Sequence, residues 1–192
     1  MRRILGVIAL VLAIALPVVG ALSLAGGLYV RDNVRDELTA QKITFAPAGS
    51  PGLPAEIQGY GGTQVVTGSQ AKVFANDYIA AHIQSSIRSA EEQNPALAGA
   101  TTYSDVSRAS RENPGNEELS ALVESVFRGE MLRASLLSSW GWWTFATILI
   151  WVAIGSFALT LLSAAASVGL LTKVPARLAQ RIRHTPGRPH PA

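Results

Sequence analysis

Cysteine is absent from the 192 residues of this chain. That excludes disulfide staples, thiolate zinc sites, iron–sulfur clusters and cysteine nucleophiles, so any folded part must hold by packing alone. Histidine is scarce too, with His82, His184 and His190 the only three. Charge is missing in a pattern. No Asp, Glu, Lys, Arg or His occurs from residue 4 to 30, or from 134 to 172. Acidic residues are also missing from both ends, since all 13 lie between Asp32 and Glu130.

The two uncharged stretches, 27 and 39 residues long, are each sufficient to cross a hydrocarbon core of ~30 Å at ~1.5 Å per residue. The net charge of +3 conceals a partition: residues 31–133 hold nine Lys/Arg against 13 acids, while the ends hold seven basic residues and no acid. Basic residues beside an apolar span are topology signals, which removes the case for nucleic acid as a partner. Arg2 and Arg3 before the first stretch, and Lys173, Arg177, Arg181 and Arg183 after the second, mark both ends as cytoplasmic. Trp140, Trp142 and Trp143 gather at the outer mouth of the second span, where indole rings favour the interface. The rival for the N-terminus is a cleavable signal peptide, with small residues at Ser23 and Ala25. The apolar run continues to Val30, longer than such a peptide needs.

The expected fold is all-α: two transmembrane helices (4–30 and 143–171) flank a small helical extracytoplasmic domain (31–139) with a Pro/Gly-rich loop. Residues 1–3 and a basic tail, 172–192, are cytoplasmic. Neither span holds an ionisable group of the kind that proton relays and ion pathways need. Pro17 is expected to kink the first span. Small residues recur at four-residue spacing, Ser23/Gly27, Ser163/Ser167 and Ala165/Gly169. Such faces let helices approach closely, within one chain, in a homo-oligomer or with a membrane-protein partner.

Between the spans, Val30, Val34 and Leu38 extend the first helix to about Lys42. Residues 45–68 carry three prolines and six glycines and read as a loop. Thr67 with Gln70, and Thr102 with Asp105, have capping-box form. Val73, Asn76, Ala80, Ile83 and Ile87 form a core-facing stripe on the helix that follows the first box. A further helix from Leu119 runs toward the second span, with Gly129 and Gly141 as expected bends.

Several blocks resemble a group of small actinobacterial two-span membrane proteins often called aromatic ring-opening dioxygenases. They are residues 36–45 (DELTAQKITF), Thr67-Gly68 with 71–79 (AKVFANDYI), 102–107 (TYSDVS) and 127–133 (FRGEMLR). The group has no established activity, so the resemblance implies architecture and source more than chemistry.

Enzyme readings fail on the residues. A non-haem iron oxygenase holds iron with two His and one carboxylate, and the outer block contains His82 alone. His82 with Ser85 or Ser86 lacks a nucleophile elbow, and Glu91-Glu92 and Glu117-Glu118 sit at helix ends beside prolines. No catalytic, cofactor or metal residues are assigned, and no cofactor is expected. Arg128, Glu130 and Arg133 are expected to pair with Asp105, Glu112 or Glu124 and pin the domain to the second span. Together with Trp140, Trp142 and Trp143, they are alternatively a contact for lipid or a partner. Lys173, Arg177, Arg181 and Arg183 suit the inner leaflet. The favoured function is a non-catalytic accessory or scaffold protein touching membrane lipids and a larger envelope complex. The alternative is an envelope enzyme or apolar-ligand binder acting through loop 45–68.

Overall fold

The computed structural model describes residues 1–172. The expected tail contacts Lys173, Arg177, Arg181 and Arg183 lie outside the described residues. Five α-helices carry the fold: α1 (Arg2–Gln41), α2 (Gly68–Val73), α3 (Ala80–Glu91), α4 (Tyr103–Glu112) and α5 (Glu117–Leu171). A π turn (Phe74–Ile79) joins α2 to α3, and short 3-10 turns cover Ala55–Tyr60 and Pro95–Leu97. The described residues hold no strand, only one isolated antiparallel bridge, Thr44 to Gln64. α1 and α5 are both long and apolar enough to cross a membrane.

The chain divides into two compact units. In the first, Met1–Ala25 packs against residues 149–172. Small residues make this possible. An added Cβ on Gly6 would come within 2.8 Å of Leu171, and one on Gly20 within 3.0 Å of Phe157. These pairs lie fourteen residues apart on each helix, so the helices run antiparallel without slip. Gly6 and Gly20 on α1 and Ala153, Ser156 and Ser167 on α5 are buried at steps that sum to sevens, the spacing of a left-handed helix pair. Ser163 and Ser167 face inward as expected, whereas Ala165 and Gly169 are exposed. Hydroxyls in this stretch bond to their own helix, Thr160 to the Ser156 carbonyl at 2.8 Å and Ser167 to that of Ala164 at 2.8 Å. That removes the cost of a bare hydroxyl in apolar surroundings.

The second unit, Gly26–Ile148, holds the hydrophobic core. Both capping boxes form, Thr67 with Gln70 and Thr102 with Asp105. Loop 42–67 is no open strap. It closes on itself through Phe45 N–H to Thr63 at 3.0 Å and Val65 N–H to Ile43 at 2.9 Å. Gln58 bridges it, accepting from Gly49 N–H at 2.8 Å and donating to the Leu53 carbonyl at 2.7 Å. Phe45, Leu53, Ile57 and Val65 are thereby buried, each contributing ~1.5–3 kcal/mol of transfer free energy. The Phe45 ring packs edge-on to Phe74 at 4.9 Å and stacks on Tyr60 at 5.2 Å.

One expectation needs correction. The buried stripe after Thr67 is Ala71, Ala75, Ile79, Ile83 and Ile87, while Val73, Asn76 and Ala80 are only half-buried. Four-residue steps drift ~40° each on a 3.6-residue helix. The π turn, with Ala80 N–H bonding five residues back to Ala75, takes up that drift. α5 runs without interruption through Gly129 and Gly141. Gly129 makes room: an added Cβ would stand 2.8 Å from the Ile83 Cδ1 methyl.

Candidate functional site

The residues singled out around the N-terminal end of the second apolar stretch all lie on α5, within the second unit. Arg133 is the centre. Its Nε donates to the Ala75 carbonyl at 3.0 Å, the acceptor that Ala80 N–H also uses in the π turn. Nη1 donates to both Glu130 oxygens at 3.0 and 2.9 Å, and Nη2 reaches Asn76 Oδ1 at 3.5 Å. The side chain is 26% exposed. A fork of fixed donors suits this task, which a lysine ammonium could not match. The expected partners Asp105, Glu112 and Glu124 are not the ones Arg133 finds. Arg128 pairs with Glu124 at 2.7 Å on an exposed face, and Asp105 pairs with Arg108 at 3.2 Å within α4. Of the expected network the Arg128–Glu124 link forms, internal to α5, and the tie between α5 and the π turn runs through the Ala75 carbonyl.

Asp105 has a second task. The Thr102 hydroxyl donates to it at 2.7 Å, and the Thr101 and Thr102 N–H groups at 3.2 and 3.1 Å. Thr102 first, then the Thr101 backbone, hold its carboxyl below the usual carboxylate range.

The three indoles separate. Trp143 is 6% exposed, which corrects its assignment as a lipid or partner contact. It lies under Gly68, where any Cβ would overlap it, and the Arg31 guanidinium stands 4.4 Å over its ring. Trp140 is half-buried beneath Lys72 Nζ, 4.4 Å from the ring centroid. Both stacked cations are of the kind that add ~0.5–2 kcal/mol. Trp142 alone is open, 58% exposed, with Phe145 edge-on at 6.0 Å.

Beside Trp142 a groove of about 480 Å³ opens between α1 and α5, walled by Val30, Asn33, Val34 and Glu37 on one side and Ser135, Ser138 and Ser139 on the other. Sequence reasoning missed it, because its two walls are a hundred residues apart. A second groove of about 480 Å³ runs between α3 and α5 past Ser86, Ala90, Leu119 and Ser125.

His82 Nδ1 lies 2.8 Å from the Tyr78 carbonyl, and its ring packs on Tyr78 at 4.4 Å. Among the described residues no three His, Asp or Glu side chains converge as a metal site would require. No protein-family profile, curated protein or solved structure matches the chain.

Proposed function

We propose that the chain is an integral membrane protein with two spans, both ends cytoplasmic, and an extracytoplasmic domain that serves as a non-catalytic accessory or scaffold. The observation that carries this reading is the charge partition: two uncharged helices, all acids between them, and only basic residues beyond. Three chemically capable side chains of the domain support the non-catalytic part, since they are engaged in structure. Arg133 holds the π turn, Asp105 caps α4, and the His82 ring bonds a carbonyl of its own helix. The competing reading, a ligand site in loop 45–68, loses ground because the loop's apolar side chains fill the core. The resemblance to proteins called dioxygenases supplies no iron ligands here and is carried only as architecture.

A partner would meet the exposed face of the outer part of α5, where Phe127 is 45% and Met131 55% exposed and Phe127 packs on Tyr103 at 5.7 Å. Extraction in mild detergent followed by sizing and mass spectrometry tests this. The reading expects a stoichiometric complex that Phe127→Glu disperses. A monodisperse monomer for both proteins would contradict the scaffold role.

A further inference from the structure

The groove between α1 and α5 has the composition of a headgroup site rather than of a helix seam. Its floor is apolar, Val30 and Val34, and its upper wall ends at Glu37. Seven residues separate Val30 from Glu37 on α1, and seven separate Ser135 from Trp142 on α5. Each wall is therefore ~10 Å long. A bilayer of ~40–45 Å around a ~30 Å core leaves ~5–8 Å per headgroup layer. Val30 is the last residue of the uncharged stretch 4–30, so the groove begins where the first apolar run stops. Its volume of about 480 Å³ falls within the ~300–1,000 Å³ of small-ligand sites.

Charge says what fits. Glu37 makes no ion pair among the described residues, and Arg31, six residues before it on α1, stands over Trp143. Glu37 offers a carboxylate to an ammonium group, while Trp142, beside the Val30 end because Arg31 stacks on Trp143, adds an exposed indole face. The Ser135 and Ser138 hydroxyls and the Asn33 amide offer donors that suit a singly charged phosphodiester.

We propose that this groove binds the headgroup of an amine-bearing phospholipid, with the ammonium at Glu37, the phosphate at Asn33 and Ser138, and the glycerol end over Val30, Val34 and Trp142. The inference rests on the membrane reading above but not on the scaffold role. The test places the full chain in nanodiscs of equal phosphatidylethanolamine and phosphatidylglycerol, extracts it in mild detergent and quantifies retained lipid by mass spectrometry. Phosphatidylethanolamine should be enriched roughly twofold to fivefold over its bulk share, the range a partly exposed ion pair supplies. Glu37→Gln should return the ratio to bulk, and the exposed control Glu56→Gln should leave it enriched. Equal retention of both lipids by the unaltered protein, or enrichment that survives Glu37→Gln, overturns the proposal. Millimolar phosphoethanolamine, which lacks acyl chains, should not compete; displacement by it would reassign the groove to a soluble ligand. Failure to enter nanodiscs at all would instead count against the membrane reading.

Discussion

The Arg133 guanidinium satisfies a backbone carbonyl, a carboxylate and an amide at once, and its loss leaves a shared acceptor with one donor. Arg133→Ala is expected to destabilise the protein by roughly 1.5–3 kcal/mol, the range for hydrogen bonds to charged groups. Arg133→Lys should recover only part, because one ammonium cannot reach three acceptors. Thermal melting followed by circular dichroism in detergent measures both. Asp105 makes a pH-dependent contribution. Its carboxyl is held below the ordinary range, so the stability it adds is present above the unfolded-state value near ~3.9 and is lost as pH falls through the lowered one. The melting gap between the unaltered protein and Asp105→Asn should therefore be widest near neutrality and close on acidification. A gap that is constant with pH would remove the charge from this account. The Thr102–Asp105 box was legible in sequence because its three-residue spacing is local. The acceptor of Arg133 was not, since it lies 58 residues away and is backbone, which no side-chain pattern encodes.

At the scale of elements, the close contacts are set by glycines whose neighbours differ in how far they can yield. Gly68→Ala would drive a Cβ into the Trp143 side chain near its root, with the Trp140 Cα 3.2 Å behind. Gly129→Ala meets only the far end of Ile83. Overpacking of this type costs ~1–3 kcal/mol, and Gly68→Ala should sit at the upper end and Gly129→Ala at the lower. Pairing Gly129→Ala with Ile83→Val, which removes the Cδ1 methyl, should cost less than the sum of the two single changes in a denaturant titration. The helices themselves followed from periodicity, but the identity of the buried stripe did not. A one-residue slip at the π turn moves the core face from Val73, Asn76 and Ala80 to Ala71, Ala75 and Ile79. The inward side of α1 hid for a related reason. Glycines at 6 and 20 lie fourteen residues apart, outside the four-residue spacing that exposes Ser23 and Gly27 to inspection. Gly20→Leu should collide with Phe157, whose ring lies 3.0 Å from an added Cβ. Its expected effect is a lower melting temperature with no change in the far-ultraviolet spectrum below the transition.

For the whole molecule, the partition of charge is the longest-range pattern in the chain and the one that sequence displays without a fold. It accounts for two apolar helices and a mixed-charge unit between them. It does not reveal that loop 45–68 is packed, because prolines and glycines advertise turns while the four buried side chains among them are too irregularly spaced to show a period. Residues 31–139 are proposed to face outward while both ends face inward. Single cysteines at Ser50 and at Ala192 in this cysteine-free chain test it directly, with an impermeant thiol reagent applied to intact cells and to lysed ones. The Ser50→Cys protein should be labelled in intact cells and the Ala192→Cys protein only after lysis. Labelling of Ala192→Cys in intact cells, with Ser50→Cys protected until lysis, would contradict it.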